Sequence, residues 1–305
     1  TTASGAGYGL LIWLGLALFV GGQHAGTWPP LFSLGLGLAL VTAGLLASTF
    51  HLGRPERAIK AFSQWRSSWL SREGVLALVT YVPAVCLGLL WFHLPHDDKG
   101  YALLGGLTAL ASLATIWCTA MIYASLKTIR AWHQPLVGPC YIALALATGG
   151  LLYIAVEIMA RRVTTTEVLL GLVALLAAWG LKASYWNAID AAPLTRTAGD
   201  ATGLGHLGTV RVLEPPHTTP NYVMREMGYE VARKHAQKLR QLSVLALFVV
   251  PIVCLLAILV MPEALAVLAA VIAVVAAAVG VLVERWLFFA EAQHVVTLYY
   301  GAEAA

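Results

Sequence analysis

Charge is scarce in this chain. Asp, Glu, Lys and Arg together make up 11% of its 305 residues, where a soluble domain carries about a quarter. With 59% hydrophobic residues and a mean hydropathy of +0.78, that deficit argues against an ordinary soluble domain. Cysteine is scarce as well: Cys86, Cys118, Cys140 and Cys254 are far apart, and each sits in an apolar run. No C-x-x-C spacing exists, so neither an iron–sulfur cluster nor a structural zinc site is expected, and disulfides are equally unsupported. Small apolar packing residues are the better reading. Internal repeats of the kind that mark inverted-repeat transporters are missing too. The first apolar run has no basic leader and no small-residue cleavage site, so it reads as a retained span. The chain opens at Thr1 rather than methionine, and native residues before it are expected.

What is there is a series of long apolar runs, at about 3–23, 31–52, 71–94, 101–127, 138–160, 165–187, 242–261 and 263–290. Each approaches the ~20 residues needed to cross a bilayer as a helix. The fold class is therefore all-α, a polytopic membrane protein with eight transmembrane helices forming one integral-membrane domain over 1–305. Pro83, Pro139 and Pro251 read as kinks or first-turn prolines. The connectors after spans 2, 4 and 6 hold fourteen Lys or Arg, against three after spans 1, 3, 5 and 7. By the positive-inside rule both termini, the connector 51–72 and the long 188–241 segment face the cytoplasm.

The most polar connector reads "HLGRPERAIKAFSQWRSSWLSRE", residues 51–73. Gly53 can close span 2 in the left-handed conformation, and Pro55 suits the first turn of a new helix. Ile59, Phe62, Trp65 and Trp69 then recur at helical spacing, which predicts an amphipathic helix in the headgroup layer. Ser71 is the expected cap of span 3, with Glu73 in its first turn, where the helix dipole favours a carboxylate. Positive-inside arginines, aromatic anchors and a dipole-stabilising glutamate explain most of this segment. They explain His51 and Glu73 less well, because polar groups just inside the boundary cost free energy unless paired. A histidine and a carboxylate facing one cavity are what a quinone headgroup needs: hydrogen-bond partners that exchange protons near neutral pH.

"HLGRPERA" followed by "SSWLSRE", with the opening "TTASGAGYGL" and the eight spans, resembles the membrane anchor subunits of the dimethyl sulfoxide reductase family of molybdenum enzymes. The resemblance covers the whole chain. It implies a quinone site (ubiquinone or menaquinone) at His51 and Glu73, supported by Arg54, Arg57 and Arg72, with Trp69 beside them. It also implies that molybdopterin and iron–sulfur clusters reside in partner subunits. Well-known members hold those subunits on the periplasmic face, whereas the charge count here places the connector in the cytoplasm. That inverted orientation resembles the anchors of membrane-bound sulfite:quinone oxidoreductases.

The remaining polar features have bland readings beside sharp ones. The 188–241 segment is long for a structureless loop, and its glycine turns, β-prone "TVRVL" and helix capped at Thr219 before Pro220 suit an ordered surface docking an iron–sulfur partner. A basic helix lying on anionic lipid is the alternative. "TGLGHLG" lacks the lysine and strand–helix context of a nucleotide loop. Glu284 and Arg285 read as a local ion pair or as snorkelling groups, Lys182 as a snorkelling lysine, and Glu157 as a partner of Arg161. Glu291 and His294 follow the last span, where a proton path has no support. His24, His51, His93, His96 and His133 all fall near helix ends, so no haem is expected. The sequence contains no ligand set for substrate chemistry, and the function it favours is a quinone-reactive anchor within an oxidoreductase complex, most simply in sulfite oxidation. A quinol-oxidising anchor of a reductase, a small-molecule transporter and a purely structural tether are the competing readings.

Overall fold

The computed structural model describes residues 1–21, 27–50, 55–93, 98–191, 196–211, 213–214, 219 and 230–300. Eight helices are long and apolar enough to cross a membrane: α1 (Thr2–Gly21), α2 (Trp28–Phe50), α3 (Trp69–His93), α4 (Asp98–Ala124), α5 (Val137–Met159), α6 (Thr165–Ala191), α7 (Ala236–Ile258) and α8 (Glu263–Ala290). Among the described residues there are no strands. The protein is thus an all-α, multi-span membrane protein, and its helices follow the apolar runs to within a few residues.

Helix α1 packs against α2, α4 and α5, while α3 lies on α4. Helices α6 and α8 pack on the other side of α5, and α7 joins them through α8. Helix α5 therefore separates two apolar clusters and contributes to both. Its sequence explains that place: the stretch "ALALATGG" presents little but small side chains, which let neighbouring backbones come close. The approach is tightest at Gly9 of α1 and Gly149 of α5, where a Cβ on either residue would overlap the other helix's backbone.

Because successive helices alternate in direction, one end of the bundle gathers the starts of α1, α3, α5 and α7 with the ends of α2, α4, α6 and α8. This is the end that carries the excess Lys and Arg. Here the connector departs from expectation. Pro55–Gln64 is a 3₁₀-helix rather than an α-helix. With three residues per turn, side chains at i and i+3 eclipse, so Ile59, Phe62 and Trp65 still share one face. Ile59 and Trp65 are exposed, and Phe62 packs on Gly74 of α3. Trp69 is not part of this segment; it begins α3. The Ser71 backbone N–H donates to Ser68 Oγ at 3.4 Å, so Ser68 rather than Ser71 caps the helix. Ser71 itself is buried.

Pro83 lies inside α3, and Pro139 is in the first turn of α5. In α7 a π-helical turn at Leu245–Val249 precedes Pro251, whose missing N–H breaks the regular ladder. The turn packs on Gly280 of α8, and the Ser243 hydroxyl donates to the Gly280 carbonyl at 3.2 Å. Beyond α6 a short helix, Ala198–Thr202, is held by a reciprocal Thr197–Asp200 capping box and closed by Gly203 at φ +70°. Hydrogen bonds from the Thr197 hydroxyl and backbone N–H hold the Asp200 carboxyl below the usual carboxylate range. The segment "TGLGHLG" is the end of that helix plus a 3₁₀ turn, Gly205–Leu207, and among the described residues no strand feeds it. Residues 209–211 of the β-prone stretch are irregular rather than extended in a sheet. Among the described residues the next helix is Glu230–Lys234, which leads into α7; the expected helix start at Pro220 lies outside the described residues.

Candidate functional site

Starting α3 at Trp69 places Glu73 in the second helical turn, so no acidic residue occupies the first. Its carboxylate points into the bundle rather than serving the dipole: the Thr119 hydroxyl of α4 donates to Glu73 Oε1 at 2.7 Å. Tyr8 of α1 and Tyr123 of α4 lie within electrostatic range of that carboxylate.

Thr119 and Tyr8 line a small cavity together with Tyr141 of α5, Arg285 of α8 and the first turn of α1, polar side chains set in a wall that also includes Ile116, Leu144 and Val281. Its free volume is about 30 Å³, room for a water or two. The Tyr8 ring is 2% exposed, and among the described residues its hydroxyl has no hydrogen-bond partner. A buried hydroxyl left unsatisfied costs about 1–3 kcal/mol. Thr2, Ala6, Thr148 and Val281 belong both to this cavity and to a larger cleft of about 350 Å³. That cleft runs along α1, α5 and α8 and is otherwise apolar, with Leu151, Leu152 and Leu282 among its walls. The arrangement is amphipathic: a hydrocarbon slot ends in hydroxyls, a carboxylate-bound threonine and a guanidinium. The small end admits an oxygen atom rather than a ring, so any ring must sit at the junction with the cleft.

A second polar group lies behind the cavity wall. Lys182 is 1% exposed and Glu284 0% exposed, and Lys182 Nζ meets Glu284 Oε1 at 2.5 Å. Arg285 reaches both carboxylate oxygens, Nε to Oε2 at 2.5 Å and Nη2 to Oε1 at 2.8 Å. Lys182 is therefore an internal ion-paired residue and does not snorkel. The pairing of Glu284 with Arg285 is observed, but it is buried. At the opposite end of the bundle, Arg161 pairs with Glu263 rather than with Glu157, and Glu157 is buried. Arg161 adopts φ +57° at the end of α5, which swings its side chain toward α8.

The basic end is closed by a ring of aromatic and charged groups. Trp132 donates to the Phe288 carbonyl at 2.9 Å and lies edge-on to His294. Arg240 joins Asp190 and Glu291, at 2.6 and 2.7 Å. Burial pushes the Glu291 carboxyl above its ordinary range, although Arg240 pulls it down. Burial, and then the Arg233 charge, push the His294 imidazole below its ordinary range.

Of the sequence-predicted site residues, Glu73 touches the cavity wall through Thr119 but does not itself line the cavity. Arg72 turns away from it: Nε donates to the Trp65 carbonyl at 2.9 Å and Nη2 to the Arg66 carbonyl at 2.7 Å. Its guanidinium lies over Trp69, 4.2 Å from the ring centroid, so this pair fastens the connector to α3. His51, Arg54 and the side chain of Arg57 lie outside the described residues, as do His24 and His96. The structure adds Tyr8, Thr119, Tyr141 and Arg285. An intramembrane arginine was a signal for the last of these; the tyrosines and the threonine gave none.

The family model for the DMSO reductase anchor subunit (DmsC) matches residues 1–301. Over its full length, and 97% of the relative's, the chain is 32% identical to a sulfite dehydrogenase subunit of Allochromatium vinosum. It is 28% identical to the anaerobic dimethyl sulfoxide reductase chain YnfH of Escherichia coli K12, over 47% of this chain and 50% of that one.

Proposed function

The chain belongs to the DMSO reductase anchor subunit (DmsC) family, and from that premise we propose that it binds a quinone at the junction of the small cavity and the apolar cleft. In this reading it passes electrons between a partner iron–sulfur cluster and the quinone pool. The observation that carries the reading is the buried Tyr8 hydroxyl: it lacks a partner among the described residues, and it lines a cavity whose other polar groups suit a ring oxygen. The residues present fit such a group. The cleft walls exclude water and take an isoprenoid tail, Tyr8 donates to a ring oxygen, and Thr119 fixes the direction of the Glu73 carboxylate. Glu73 holds or releases a proton at its carboxylate oxygens, with His51 as the second proton-exchanging group and Arg54 and Arg57 as its supports. When bound, the quinone supplies a carrier for two electrons and two protons.

Sulfite oxidation is the favoured reaction, because the full-length relative is by name part of a sulfite dehydrogenase. The half-length match to a dimethyl sulfoxide reductase chain supports the reverse flow more weakly. We place the partner subunits at the basic end, docked on the 188–241 segment, with that end in the cytoplasm. Arginines and lysines concentrated there support this.

Glu73→Gln tests the reading in the co-purified complex. Sulfite-dependent quinone reduction is expected to fall roughly a hundredfold or more, the usual worth of a positioned acid–base group. Activity with an artificial dye and assembly of the complex are expected to stay unchanged. Equal loss of both activities, or full retention of quinone reduction, would overturn it.

A further inference from the structure

Proton exchange at Glu73 makes no use of Lys182, Glu284 and Arg285. These three side chains are buried in the bundle, and they set two cations against one carboxylate. Ionisable groups at membrane depth are costly unless paired, and a structural ion pair needs only one cation. Both oxygens of Glu284 are already taken. The other faces of the cations rest on aromatic rings: Lys182 lies 4.0 Å from the Tyr185 centroid, and Arg285 lies 4.3 Å from that of Tyr141. Ring quadrupoles ease the desolvation of a cation without cancelling its charge. Glu291, the neighbouring acid at this end of α8, is held by Arg240. Glu73 is not part of the cavity wall and touches it only by accepting the hydrogen bond from Thr119; no described wall residue carries a carboxylate that would neutralise the second cation.

Arg285 is the member of the cluster that reaches the cavity surface. Resting on the quinone reading, we propose that Lys182, Glu284 and Arg285 form a fixed net-positive cluster that makes this an anion-selecting ring site. It favours a ring bearing an ionised oxygen, such as a deprotonated quinol or hydroxyquinone hydroxyl, over a neutral ring of the same size. Arg285 is the binding group. Lys182 is a positioning residue, acting through Glu284 by offsetting the carboxylate that would otherwise cancel the guanidinium charge.

The test is a charge ladder in the full-length chain, reconstituted in lipid nanodiscs and read by equilibrium binding. The probes are 2-hydroxy-1,4-naphthoquinone, anionic at neutral pH, and its neutral 2-methyl counterpart. Lys182→Met brings the cluster to net zero, Glu284→Gln to net plus two, and the double variant restores net plus one. The parent chain is expected to prefer the anion. Lys182→Met should lose about tenfold of that preference, the effect of one nearby opposite charge. The double variant should recover it and Glu284→Gln should exceed it, with affinity for the neutral probe constant throughout. A preference indifferent to the ladder, or a double variant as weak as Lys182→Met, would overturn the proposal. Should one variant fail to assemble, the others still differ in charge from the parent or share it. Binding of both probes without charge preference would overturn only this inference, whereas binding of neither would overturn the quinone reading itself.

Discussion

At the scale of single residues, the site is a contest between burial cost and ligand need. Tyr8 shows it most plainly. In a stable core its hydroxyl would be paired or replaced, because a buried orphan donor is unfavourable. Tyr8→Phe removes that liability without changing ring packing. The variant is expected to be as stable as the parent, or more so by up to about 1 kcal/mol, while its affinity for a quinone-site inhibitor falls roughly five- to tenfold, the net worth of one hydrogen bond. Thermal unfolding and inhibitor titration on the same preparation check both halves; loss of stability together with unchanged affinity would make the hydroxyl structural. The same contest explains why Lys182 does not snorkel. A lysine one turn from the end of an apolar run normally extends to the interface, and nothing in the run around it shows which side faces inward. Only the arrival of Glu284 from α8 turns the ammonium into the bundle.

At the scale of elements, the apolar runs were legible because hydrocarbon demands ~20 satisfied backbone residues per crossing. The details that place the site were not. The cap at Ser68 rather than Ser71 shifts the start of α3, and that shift carries Glu73 from the dipole's first turn to the turn facing Thr119. The connector's spacing of three was readable in Ile59, Phe62 and Trp65, but a 3₁₀-helix and an α-helix both group such residues. Helix α5 also depends on context, since its small residues matter only where α1 meets them. Gly149→Val puts a branched side chain into the backbone of α1 at Gly9, where neither helix can yield without moving the cavity's first turn. We expect little folded protein in detergent extracts, and normal yield would mean that α1 and α5 can separate at no cost.

At the scale of the whole molecule, the cavity, the buried cluster, the connector and the described parts of the 188–241 segment lie toward the same end. That layout suits an anchor that meets its electron-transfer partner and its proton supply on one side. The proposed orientation makes a direct prediction in a background lacking the native cysteines. His206→Cys, at an exposed position of the basic end, is expected to resist a membrane-impermeant maleimide in spheroplasts and to react after lysis. Thr166→Cys, at an exposed position of the opposite end, should label in both. The reverse pattern would turn the complex to the other face of the membrane.

Composition and the distribution of charge were enough to determine the class, the number of spans and their relative directions, because the bilayer acts on each segment separately. The connector motif pointed to the family and to Glu73. Which residues share a cavity was decided by tertiary structure, since Tyr8, Thr119, Tyr141 and Arg285 come from four helices and lie up to 277 positions apart in the chain. Their meeting depends on packing between helices that are apolar on every side, and that packing leaves no periodic trace in the sequence.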